Sequence, residues 1–379
     1  MVESMRTEKI LASKLAELTI EEKVHLCTGA TMWSLTPIER IGLGELVVSD
    51  GPSGVRGVIW DERSPSLNMP SASSLSSTWS RDAARLAGVT VAGEARRKGV
   101  HAVLGPTINL HRSPLGGRHF EAFSEDPYLT ANLADALVDG IQSQGVAACL
   151  KHYVANDYEE ERFTSNSVVS ERALRELYLL AFEKAVTDAR AWMVMSSYNL
   201  VNGVPASEND LLETPLKSEW NFDGVVISDW FASQRLDSAR AEQDLLMPGP
   251  QGPWGQALVE AIRAGDIDDS AVHLKQMRDR RGAGRATHGG YREANAEDQA
   301  MAEQVAQLAA HQHQRAVDQH VADHEPLDVA ELQLEVCRDR RQRHVDRGAE
   351  KRREKRRHRR DDERRALHRT GREIGRASC

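Results

Sequence analysis

The chain has 379 residues, of which 40% are hydrophobic and 28% charged, with a formal net charge of -8 at pH 7; it is long enough for a sizeable core, and no run reads as a bilayer-spanning helix. Its four cysteines, Cys27, Cys149, Cys337 and Cys379, show neither close pairing nor metal-ligand spacing, which argues against a disulfide scaffold or a zinc module and fits a reducing compartment. A cytoplasmic protein without membrane attachment, metal or cofactor is the expectation.

The charge is unevenly distributed: residues 1–274 hold 24 Lys plus Arg against 38 Asp plus Glu, whereas residues 275–379 hold 25 against 19. All seven Trp and all six Phe fall at or before Trp254, and Tyr291 is the only aromatic residue beyond it. Two kinds of polypeptide are joined, so the net charge is an average that identifies no partner.

The N-terminal MVESMRTEKILASKLAELTIEEKVHL is amphipathic, with Glu and Lys throughout, and lacks the apolar core of a signal peptide. Five short apolar runs then end in polar residues: GELVVSD from Gly44, VHAVLGPTINL from Val100, VAACLKH from Val146, AWMVMSSYN from Ala191 and GVVISDW from Gly224. Each reads as a buried parallel strand. Helical patterns separate them, starting at Arg81, Pro127 and Glu171. Ser124 or Asp126 can cap the second, whose first residue is Pro127. Alternating strand and helix imply an α/β fold. Residues 272–379, which include KRREKRRHRRDDERR, lose the periodicity and read as a basic disordered tail.

In a parallel barrel the carboxyl ends of the strands converge on one mouth. Asp50, the Lys151–His152 pair, Tyr198 and Asp229 stand at or just past such ends, and Arg112 follows the second strand. This set suits a sugar. Asp50 can accept hydrogen bonds from ring hydroxyls; Arg112, Lys151, His152 and Arg162 can donate them. Asp229 can serve as a nucleophilic carboxylate forming a glycosyl ester, and Trp230 can form a wall against the apolar face of the sugar. Taken singly, each residue has a plainer explanation. An Asp after a buried strand is commonly a helix cap, Met195 and Trp230 are ordinary packing residues, and Arg162 in YEEERF fits a solvated ion-pair cluster.

Five blocks taken together carry a resemblance: SDGPSGVRG from Ser49, LGPTINLHRSPLGGRHFEAFSEDPYL from Leu104, KHYVANDYEEERFTSNSVVSERALRELYLLAF from Lys151, SSYNLVNGVPAS from Ser196 and GVVISDWFAS from Gly224. In their order, from about Leu18 to about Ala271, the chain resembles the N-terminal barrel domain of glycoside hydrolase family 3, β-glucosidase branch. The resemblance implies a (β/α)8, TIM-like barrel over residues 1–271 and a retaining β-glycosidase acting on terminal nonreducing β-D-glucosyl residues, with Asp229 as nucleophile. It also implies that Asp50, Arg112, Lys151, His152 and Arg162 bind the sugar and that Met195 and Tyr198 line the same subsite. YEEERF stands where N-acetylglucosaminide-cleaving members carry a catalytic Asp and His, so that chemistry is set aside.

A retaining enzyme needs a second carboxyl about 5 Å from the nucleophile, and in this branch it comes from a later domain that the sequence does not show. Glu159, Glu160 and Glu161 are weak substitutes. The tail reads as a frameshift product replacing that domain, which makes impaired turnover or an inactive, truncated fragment that at most binds sugar the alternative outcomes. Interleaved Asp and Glu and the lack of stacking aromatics argue against nucleic acid as a partner. A small-molecule or oligosaccharide β-glycoside is the partner expected.

Overall fold

The computed structural model describes residues 13–59, 61 and 63–268; the expected basic tail over 272–379, and its origin, lie outside the described residues. Each of the five apolar runs forms a strand: β1 (Leu46–Asp50), β2 (Ala102–Leu104), β3 (Ala147–Tyr153), β4 (Met193–Ser196) and β5 (Val225–Ser228). They lie side by side in chain order and pair in parallel, with a two-residue strand, Ser34–Leu35, antiparallel to β1 at one edge. Isolated bridges continue the pairing from Ile227 in β5 to Leu245, from Leu246 to Thr28, and from Gly29 to Leu35. The architecture is therefore α/β with a curled, mixed sheet. Its regular part is smaller than eight long strands, because the 28–29, 34–35 and 245–246 segments contribute only one or two paired residues each.

Alternation along the strands sorts side chains to the two faces of the sheet. Val48, Ala102, Leu104, Ala147, Cys149, Met193, Met195, Val225 and Ile227 pack together on the inner side with Trp230, Leu245 and Met247. The intervening Val103, Ala148, Leu150, Val194 and Val226 pack outward into a second cluster with the helices. The same period directs Asp50 and Lys151, near the carboxyl ends of β1 and β3, and Asp229, just past β5, to the inner side.

The helices begin where local chemistry predicts. In α1 (Ile20–Leu26), Thr19 and Glu22 form a reciprocal capping box. Ser80 caps α2 (Arg81–Arg97), and Asp126 caps α3 (Pro127–Gln142) by accepting from the Tyr128 and Leu129 amides. The helical pattern from Glu171 is interrupted by a π turn over Leu174–Tyr178 before α4 (Leu180–Thr187). The remaining long helix is α5 (Gly255–Ala264).

Helices α2 and α3 meet at a glycine contact: a Cβ on Gly88 would stand 2.3 Å from the Leu137 carbonyl, and one on Gly140 2.2 Å from the Arg85 carbonyl. Backbone cannot yield as a flexible side chain can. Gly88→Ala is expected to destabilise the chain by about 1–3 kcal/mol despite the better helix propensity of Ala, measured as a lower thermal midpoint.

Candidate active site

The inward-facing strand ends bring together a chain of alternating charges. Arg56 lies 3.6 Å from Asp50, which lies 3.6 Å from Lys151; Lys151 stands 3.8 Å from Glu121. Glu121 pairs with Arg118, Arg118 stands 3.9 Å from Glu159, and Glu159 is 2.9 Å from Arg162. The Arg162 guanidinium covers the Tyr198 ring at 4.2 Å from its centroid, a cation–π contact. Lys151 is 97% buried (3% side-chain exposure), so its charge is kept in the interior by the two carboxylates beside it. A pocket of about 540 Å³ opens over the Arg56 to Arg118 part of this array and is lined by Asp50, Arg56, Arg118, Phe120, Glu121 and Lys151, among others; Glu159, Arg162 and Tyr198 stand outside its lining.

Asp229 sits just beyond β5, almost fully buried. One oxygen, Oδ1, accepts from the Trp230 amide at 2.7 Å. The other, Oδ2, faces His152 Nε2 at 3.5 Å and makes no hydrogen bond of strict geometry among the described residues, while the Tyr198 hydroxyl lies close enough to bond the carboxylate. Burial raises the pKa of Asp229 above the ordinary carboxylate value, opposed by Lys151, the Trp230 amide, Arg118 and Tyr198. Trp230 tilts against Trp33 with ring centroids 5.2 Å apart, and its indole N–H donates to the Met32 carbonyl at 2.9 Å. Met195 lies beneath, on the inner face of the sheet.

Burial first, then the charges of Arg118, Lys151 and Arg162, holds His152 well below its usual pKa, so the ring is neutral. Its backbone exchanges two hydrogen bonds with Asn109, which fixes the amide orientation and turns Asn109 Oδ1 toward His152 Nδ1 at 3.1 Å. The proton therefore belongs on Nδ1, leaving Nε2 with a lone pair.

Arg112 is not brought to this cluster. It is exposed, donates to the Tyr178 hydroxyl at 3.0 Å and lies against that ring at 5.7 Å. Arg118, six residues on, enters the array in its place. The sequence reading also missed Arg56 and Glu121, and weighed Glu159 only as a proton donor. Arg118 follows two glycines, of which Gly116 leaves no room for a side chain beside the His119 ring, 2.3 Å from where its Cβ would stand. Such a tight turn is the signal that could have favoured Arg118.

Behind the array, Asp157 accepts from the Leu110 amide at 2.9 Å, and burial pushes its pKa up to about 6. A folded-state pKa above the ordinary 3.8 means that the folded chain keeps a proton the unfolded chain releases. The resulting contribution to stability is complete below that ordinary value and fades as pH rises through about 6. Asp157→Asn is accordingly expected to raise the melting temperature near pH 8 and to lose that advantage near pH 4.5, measured by thermal denaturation at both pH values.

No helix among the described residues is long and apolar enough to cross a membrane. The same residues contain no group of three His, Cys, Asp or Glu placed to hold a metal.

Residues 36–276 match the family described as glycosyl hydrolase family 3 N terminal domain. Among curated proteins the chain is 47% identical over 269 residues to a β-glucosidase of Rhizobium radiobacter, an alignment covering 70% of this chain and 33% of that protein. It is 42% identical over 268 residues to thermostable β-glucosidase B of Acetivibrio thermocellus, covering 68% and 36% respectively. Its fold is similar to that of β-glucosidase 3B from Thermotoga neapolitana in complex with glucose (TM-score 0.75, 34% identity, 79% of this chain and 47% of that one). It is equally similar to a Kluyveromyces marxianus β-glucosidase in complex with glucose (TM-score 0.75, 35% identity, 79% and 38%). The alignments thus span about a third of the length of these curated relatives.

Proposed function

The chain belongs to glycosyl hydrolase family 3, and we propose on that premise that its barrel binds the nonreducing terminal sugar of a β-glucoside and is glycosylated on Asp229. An Asp229 oxygen attacks the anomeric carbon as the bond to the leaving oxygen breaks; water then hydrolyses the glycosyl ester, returning the carboxylate and releasing the sugar with retained configuration. The observation that carries this reading is the setting of Asp229: buried at an inward-facing strand end, one oxygen anchored by the Trp230 amide and the other facing His152. Lys151 and Arg118 pull against the burial that would otherwise protonate it. Asp50, Lys151 and Arg162, joined by Arg56 and Arg118, supply charged hydrogen-bonding groups for sugar hydroxyls. Met195, Tyr198 and Trp230 supply apolar surface. The glucose held by the Thermotoga and Kluyveromyces enzymes favours glucose in this subsite.

The test is mass spectrometry after incubation with a 2-fluoro-glucoside carrying a dinitrophenolate leaving group, which departs without acid assistance. A stable adduct on the peptide containing Asp229 is expected. A folded, soluble chain that gives none would leave only the reading of an inactive fragment.

A further inference from the structure

Glu159 occupies a position in the array that neither sugar binding nor nucleophilic attack explains. Its two oxygens separate to two arginines from different parts of the chain. Oε2 meets Arg162 Nη1 at 2.9 Å, and Oε1 lies 3.9 Å from Arg118 Nη1. Arg118 belongs to the loop after β2, whereas Glu159 and Arg162 follow β3. Gly117 makes the approach possible, since a Cβ there would stand 3.0 Å from Glu159 Cβ and 3.1 Å from its Cγ. Each arginine has a second contact leading into the site, Arg118 with Glu121 and Arg162 with the Tyr198 ring. Without an anion between them, the two guanidinium groups would repel one another next to Asp229.

We infer that Glu159 is a positioning residue for sugar recognition, a carboxylate clasp that sets the separation of Arg118, which lines the pocket, and Arg162, which covers the Tyr198 ring, and so determines how tightly the first sugar is held. It acts through a direct hydrogen bond from Arg162 to Oε2, while Oε1, without a hydrogen-bond partner among the described residues, faces Arg118 at 3.9 Å. Glu160, by contrast, is exposed and accepts from the Tyr158 hydroxyl at 2.6 Å; it takes no part. The inference rests on the sugar-binding reading above, and its test separates the two.

The experiment measures inactivation by the dinitrophenyl 2-fluoro-glucoside, giving KI and the limiting inactivation rate separately, for the wild-type chain and for Glu159→Gln, Glu159→Asp and Glu160→Gln. Binding of a glucose-configured iminosugar, followed by tryptophan fluorescence, is measured alongside and does not depend on catalysis. Glu159→Gln is expected to raise KI and the iminosugar Kd by about 10- to 100-fold, with the limiting rate within about 3-fold of wild type. Glu159→Asp should recover part of the loss, and Glu160→Gln should match wild type. Unchanged KI and Kd in Glu159→Gln would overturn the clasp while leaving the sugar site intact, as would a loss confined to the limiting rate. A Glu159→Gln chain that melts well below wild type and is not partly restored by Glu159→Asp would reduce Glu159 to a structural role. A wild-type chain that neither labels nor binds the iminosugar would overturn both readings.

Discussion

Asp229→Asn is expected to abolish labelling by the 2-fluoro-glucoside, a fall in rate on the order of 10³-fold or more, and at the same time to make the chain more stable by roughly 1–2 kcal/mol. The two effects have one cause. The wild-type carboxylate is buried and carries a pKa raised by that burial, and its contacts with Lys151, the Trp230 amide, Arg118 and Tyr198 only oppose that shift; such a group is costly to keep ionised. Asparagine is nearly isosteric. Its oxygen can still accept from the Trp230 amide, and its new N–H₂ group points at the His152 Nε2 lone pair that the Asn109 contacts leave free. The change removes the nucleophile and the buried charge together. Intact mass after labelling and the thermal midpoint, measured on the same preparation, check both halves. A variant that loses labelling but also melts lower would show that Asp229 is held by favourable contacts, and the assignment of the His152 tautomer would then be wrong.

The strands were legible because both faces of the sheet are covered, so each strand is a short apolar run with no polar alternation to confuse it. Asp50, Lys151 and Asp229 were legible for a related reason. Each is the first charged residue at the end of such a run, and the two-residue period that buries Val48, Cys149 and Ile227 also turns these three inward. Arg112 and Arg118 show where that logic stops. β2 ends at Leu104, and the irregular loop that follows has no period to tell which arginine turns in. The turn is set by tertiary contacts: His111 Nε2 bonds the His119 and Ala122 carbonyls, and Arg118 reaches Glu121. Glu121 and Glu159 were hidden more deeply. Their partners are cations from other segments, and sequence spacing carries no record of such pairs.

The second large effect concerns the leaving group. A hydroxyl of a second sugar departs only if it receives a proton as the bond breaks, whereas dinitrophenolate leaves as a stable anion. Among the described residues, Glu121, the carboxylate buried between Lys151 and Arg118, is a poor proton donor. Glu121 is held below its ordinary pKa by Lys151 and Arg118 despite its burial. Nor is it placed against Asp229 as Lys151, Arg118 and His152 are. The chain is therefore expected to process dinitrophenyl β-glucoside with a kcat/KM on the order of 10⁴-fold or more above that for cellobiose, a larger gap than a positioned general acid would permit. Azide, a nucleophile that needs no base, should accelerate turnover of the activated substrate and divert the product to the β-glucosyl azide. Steady-state assays on the two substrates, with and without azide, measure this directly. Cellobiose hydrolysis at a comparable rate, insensitive to azide, would show that a proton donor reaches the Asp229 pocket, and Glu159→Gln and Glu121→Gln would be the first variants to search for it.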